Sequence, residues 1–148
     1  MLKDAVKTSY LHYERALANY EEIKDWKINE ELFADKEKVK TTDAFIFRFI
    51  KLQDYMGETL FKRILESVGE YKDSMSLLDM LDSLEKLKIV ENAEEWMKFR
   101  KIRNILTHEY PDNSDQITVG IIAALKSFVV IGDILKSIEK YARSKNLL

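Results

Sequence analysis

The sequence predicts an all-α fold, an up-and-down four-helix bundle with a fifth, shorter helix, and three observations carry that prediction. Its 148 residues include only 4 glycines and 1 proline, which leaves too few turn residues for a many-stranded β-fold. Apolar residues recur at steps of three and four in successive segments, the period of a helix face. Hydrophobic residues at 46% and charged residues at 34% supply a core and a solvated exterior, as a single domain over residues 1–148 requires.

Leu2, Val6, Tyr10, Tyr13, Leu17 and Tyr20 form one helical face and predict a first helix over about residues 3–25. The stretch Trp26 to Lys40 is charged and loses the period, so it reads as a connection with a short turn of helix. Thr41, Thr42 and Asp43 are candidate N-caps for a second helix over about 43–68. From Phe45 to Leu65 that helix is apolar around much of its circumference, which makes it central. Gly69 is placed to end it, and Ser74 or Ser76 to cap a short helix carrying Leu77, Leu78, Leu81, Leu84 and Leu87.

Asn92 followed by Glu95 resembles a capping box, so a further helix starts near residue 93 and buries Trp96, Phe99, Ile102 and Leu106. Pro111 removes Tyr110 from helical geometry and stops this helix close to residue 109. The last helix, about 115–143, carries an unbroken stripe from Ile117 through Phe128 to Ala142. A second stripe, Ile122, Leu125 and Val129, lies beside the first; it belongs either to a more deeply buried helix or to a self-association surface.

Several chemistries are excluded at this level. The chain has no cysteine, and its two histidines stand in neither a Glu-x-x-His pair nor a His-Glu-x-x-His motif, so a transition-metal site is not expected. Glycines 57, 69, 120 and 132 are isolated, so no phosphate-cradling loop can be built and no cofactor is implied. A net charge of −2 argues against a general nucleic-acid coat and confines any RNA or DNA chemistry to a local basic patch. No uninterrupted apolar run reaches a membrane span, and Met1-Leu2-Lys3-Asp4 does not open a signal peptide. A soluble cytoplasmic protein with no membrane partner is the expectation.

One compact basic face occurs, and the sequence shows no other. Lys98 to Arg103 holds four cations in six residues and no acid, and His108 follows near the end of the same helix. Arg100, Arg103, Asn104, His108 and Tyr110 supply guanidinium forks for phosphate, an amide, a proton carrier suited to neutral pH, and a phenol. These are the parts for metal-free RNA cleavage, in which a general base takes the 2′-hydroxyl proton and a cation stabilises the charge on the phosphoryl oxygens. On an ideal helix Asn104 and His108 lie about 40° apart but Arg103 and His108 about 140°, so two copies meeting across a symmetry axis would complete one cleft. His12, among helix-face tyrosines and without a basic neighbourhood in sequence, reads as structural; Tyr10, Tyr13 and Tyr20 read as core.

The string Arg103-Asn104-Ile105-Leu106-Thr107-His108-Glu109-Tyr110 resembles the Arg-x(4–6)-His-x-Tyr motif of the HEPN superfamily, specifically its HepT-like and nucleotidyltransferase-substrate-binding members. Asp43 through Arg48-Phe49 to Asp54 is similar to the Asp-x4-Arg-Phe-x4-Glu pattern of the substrate-binding branch, with Asp54 where Glu is usual. The resemblance implies a homodimeric, metal-independent ribonuclease toxin paired with a minimal nucleotidyltransferase antitoxin. It makes Arg103 and His108 catalytic, Asn104 supporting, and Tyr110 similar to the tyrosine that the antitoxin modifies with AMP; Arg100 of the basic run and Tyr110 are further supporting candidates. The alternative is a non-catalytic subunit that presents a nucleotide or other substrate to a separate nucleotidyltransferase.

Overall fold

A computed structural model of the chain describes residues 1–108 and 114–148, and every regular element among them is helical. Helix α1, Leu2–Ile23, is followed by a 3₁₀ turn, Glu30–Ala34. Helix α2, Lys36–Tyr55, then starts earlier than the apolar period implied. Its cap is Asp35, whose Oδ1 accepts from the amides of Glu37 at 3.1 Å and Lys38 at 3.2 Å. The proposed caps Thr41, Thr42 and Asp43 therefore lie inside the helix, with Thr42 buried. The first turn of α2 is charged on its exposed sides, so it carries no apolar stripe to read.

From α2 the chain continues without a break through one π turn, Met56–Leu60, into α3, Phe61–Ser67. Gly69, at φ 75°, closes the rod: its own amide donates to Glu66 at 3.2 Å and that of Glu70 to Leu65 at 2.9 Å. Ser76 rather than Ser74 caps α4, Leu77–Lys86, and exchanges side-chain-to-amide bonds with Asp79 at 3.1 and 3.0 Å. Asn92 caps α5, Ala93–His108, by accepting from the Glu94 amide at 2.9 Å. Helix α6 runs Ser114–Ser144.

Two aromatic clusters hold these helices together. Phe128 of α6 stacks on Tyr13 at 5.3 Å and meets Tyr20 at 5.0 Å and Phe45 at 5.9 Å, joining α1, α2 and α6. Gly132 makes room for this stack, since a Cβ there would come within 2.6 Å of Tyr13 Cε1. The second cluster sets Phe61 against Trp96 at 4.8 Å and Trp96 against Phe99 at 6.0 Å, seating α5 on the α2–α3 rod. Tyr10, Tyr13 and Tyr20 are half-buried against the core as expected, and the Tyr10 hydroxyl donates to Glu139 Oε1 at 2.9 Å.

The principal stripe of α6 is buried throughout, whereas the second stripe divides: Leu125 is half-buried, and Ile122 and Val129 face outward together with Val119. Leu125 thus packs against the core within one chain, and Ile122 and Val129 do not. By length and composition α6 is apolar enough to cross a membrane, and half of its apolar window is buried among the other helices. That burial is the pattern of a bundle's central helix.

Candidate functional site

The grip of α2 on α5 builds the site. Gln53, buried near the end of α2, donates from Nε2 to the carbonyl of Phe99 at 3.2 Å. Asp54, the next residue, holds Arg103 one helical turn further along α5: Arg103 Nε reaches Asp54 Oδ1 at 3.0 Å and Nη2 reaches Oδ2 at 2.8 Å. This is a fork-to-fork pair, the geometry that fixes a guanidinium in both position and plane. Arg103 Nη1 donates to Asn104 Oδ1 at 3.3 Å. The bond from Asp54, together with the charges of Asp54 and Glu58, outweighs partial burial and raises the Arg103 pKa.

Immediately after this grip the helix takes its π turn. The extra residue per turn bulges the rod, and Gly57 and Glu58 of the turn line a cavity of about 350 Å³ with Asp54, Trp96, Arg100 and Arg103. The groove sets two guanidinium groups beside the carboxylates of Asp54 and Glu58, over a buried Trp96. With Arg103 paired to Asp54, Arg100 makes no ion pair among the described residues and is the cation open to an anionic ligand. No group of three or more His, Asp or Glu residues able to hold a metal exists among the described residues.

The sequence-derived residues are distributed as follows. Arg103 and Arg100 both line the groove, where Asp54 holds Arg103; Asn104 is not part of the lining and joins the group only by accepting from Arg103. His108 is the last residue of α5 and is exposed. Among the described residues no hydrogen bond links it to Arg103. Tyr110 lies outside the described residues.

A second groove lies next to the first and shares Asp54 and Glu58 with it. About 460 Å³ in volume, it gathers His12 and Arg15 of α1 with Phe47, Arg48 and Lys51 of α2. His12 packs against Tyr55 at 5.5 Å. Partial burial and the charges of Arg15, Lys51 and Arg48 lower the His12 pKa. This corrects the sequence reading twice: His12 does have a basic neighbourhood, and the Lys98–Arg103 run is not the only basic face. Arg15, Arg48 and Lys51 are scattered along the chain and converge only because α1 packs along α2. The one signal available was their spacing, since Arg48 and Lys51 lie three apart on one helical face, as do His12 and Arg15.

Comparison with family models, curated proteins and solved structures finds no match to this chain.

Proposed function

We propose that the protein is a metal-independent endoribonuclease toxin of the HEPN type, a homodimer whose partner is a minimal nucleotidyltransferase antitoxin. The observation that carries the reading is the Arg103 guanidinium, fixed by Asp54 in a groove on the helix that ends at the exposed His108. The all-helical build agrees with an up-and-down four-helix bundle with a fifth, shorter helix. A reducing cytoplasm suits a chain without cysteine.

In the proposed reaction the neutral His108 imidazole removes the proton from a ribose 2′-hydroxyl. The 2′-oxygen attacks the adjacent phosphorus, the 5′-oxygen leaves and gains a proton, and the products are a 2′,3′-cyclic phosphate and a 5′-hydroxyl. Arg103 binds the phosphoryl oxygens as charge gathers on them, with Arg100 and Asn104 supporting. The arc of about 140° between Arg103 and His108 on one helix is why the reading requires a dimer.

The second copy belongs on the face where Val119, Ile122 and Val129 are exposed. This face continues through Gly120 and Ala123 to Ile102 and Ile105 of α5, the flanking residues of Arg103 and Asn104, so a partner seated there brings its own α5 to this helix. Tyr110, two residues after His108, is the proposed AMP acceptor; the added phosphate repels RNA and switches the toxin off.

One observation favours a second reading. Arg100 and Arg103 line the groove and supply phosphate contacts for a nucleotide without His108, as a non-catalytic substrate-binding subunit would. Cleavage separates the two. The purified protein in EDTA is expected to cut RNA to 2′,3′-cyclic phosphate ends and to lose about 100-fold in rate with His108→Ala. Nucleotide binding that needs Arg103 but is indifferent to His108, without cleavage, selects the second reading.

A further inference from the structure

We infer that the groove between α1 and α2 is a second nucleotide-binding subsite, in which Arg15, Arg48 and Lys51 hold a backbone phosphate of single-stranded RNA and the Phe47 ring stacks on a base. The inference extends the ribonuclease reading, on which it rests for the class of ligand. The groove's composition is what such a strand requires. Three cations converge on it, and no ion pair among the described residues takes up the charge of Arg15, Arg48 or Lys51. Its acidic rim is weaker than it looks, because Asp54 is already committed to Arg103.

Phe47 is the second observation. It is 55% exposed, although it stands in a helix whose neighbouring phenylalanines, Phe45 and Phe49, are completely buried. Lys51 Nζ lies 5.5 Å from its ring centroid and the Arg48 guanidinium 5.8 Å. An exposed aromatic ring with two long-chain cations over it that make no ion pair is an arrangement that binds single-stranded nucleic acid, the cations swinging to the phosphate as the base takes their place on the ring. The shared wall of Asp54 and Glu58 places the subsite next to the Arg103 groove, so one strand can occupy both. An acidic protein would use the cations but would leave Phe47 without a role, so RNA is the better fit.

The test measures binding apart from cleavage. A fluorescein-labelled oligouridylate of about ten nucleotides is titrated in EDTA against wild type, Arg48→Gln/Lys51→Gln and Phe47→Ala, each in a His108→Ala background. The double variant is expected to weaken binding about 10-fold or more and to reduce the slope of log affinity against log salt by about 0.7, the value for one lost phosphate contact on a single strand. Phe47→Ala is expected to weaken binding about fivefold or more with its salt slope unchanged. Arg15→Gln, on the other helix, provides the same test should the double variant fail to fold. As an independent readout, the His12 ring resonance should titrate at higher pH once RNA neutralises the surrounding cations. Wild-type affinity in the folded variants overturns the inference, as does absence of RNA binding by the parent protein. Cleavage by wild type that is indifferent to these residues leaves the ribonuclease reading standing alone. RNA binding that depends on them, without cleavage, leaves the subsite and removes the ribonuclease.

Discussion

Asp54 and Arg103, 49 residues apart in sequence, meet through two nearly parallel bonds of 3.0 and 2.8 Å. Both side chains are partly exposed, so as a stability element the pair contributes only about 1 kcal/mol. Its greater consequence is positional, because it fixes the guanidinium on which the proposed chemistry depends. Asp54→Ala is expected to lower RNA cleavage about 10-fold or more while the melting temperature shifts by only a few degrees, about 3 °C per kcal/mol. Asp54→Glu, restoring the carboxylate usual in the resembling branch, is expected to recover most of the rate. Equal rates in all three proteins would show that Asp54 does not position Arg103.

Gly132 separates helix propensity from packing. Alanine ordinarily stabilises a helix interior by about 1 kcal/mol over glycine. Here its Cβ would lie 2.6 Å from Tyr13 Cε1, and that ring is stacked on Phe128, so it cannot move aside freely. Gly132→Ala should therefore be destabilising by about 1–2 kcal/mol net in thermal unfolding. Gly57→Ala is the control, since a Cβ there finds its nearest neighbours at an ordinary 3.8 Å, and no comparable loss is expected.

Lys88 holds φ 62° just after α4, in the position Gly69 fills after α3. A side chain in that left-handed region costs about 1 kcal/mol or more. Lys88→Gly is expected to raise the denaturant midpoint by about 1 kcal/mol of stability without changing the slope. A lowered midpoint would show that the Lys88 side chain makes a compensating contribution.

His12 imposes a pH dependence whose sign follows from its surroundings. Arg15 faces it from α1, and Arg48, Lys51 and Tyr55 from α2, with Asp54 and Glu58 on the same groove; partial burial and the three cations hold its folded pKa below 6.5. As pH falls, the unfolded chain binds this proton first, so stability is lost from about pH 6.5 downward until the folded value is passed, and the site contributes no change above that window. His12→Gln should flatten this limb in urea midpoints measured against pH. An unchanged limb would remove His12 as its source.

Sequence periodicity registers only what one helix buries, and the pattern of successes follows from that. The end of α3 and the starts of α4 and α5 were legible through Gly69, Ser76 and Asn92, whose effects are local, whereas the stop assigned to Pro111 lies outside the described residues. The start of α2 was not, because Lys36, Glu37, Lys38 and Lys40 face solvent. Arg103, Asn104 and Arg100 could be found as one run on one helix, whereas the contact of Asp54 with Arg103 depends on how two helices cross. The His12 groove is assembled from α1 and α2, and the π turn that opens the Arg103 groove leaves no periodic trace.

In the proposed dimer two copies together supply Arg103 and His108 to one RNA phosphate, and remixing two inactive variants is the decisive experiment. Arg103→Ala and His108→Ala are co-refolded in equal amounts and assayed on RNA in EDTA. With sites shared across the dimer, half of the dimers are mixed and each carries one intact site, so about one quarter of wild-type cleavage should return. No recovery beyond the separate variants, when wild type is active, would contradict the shared site.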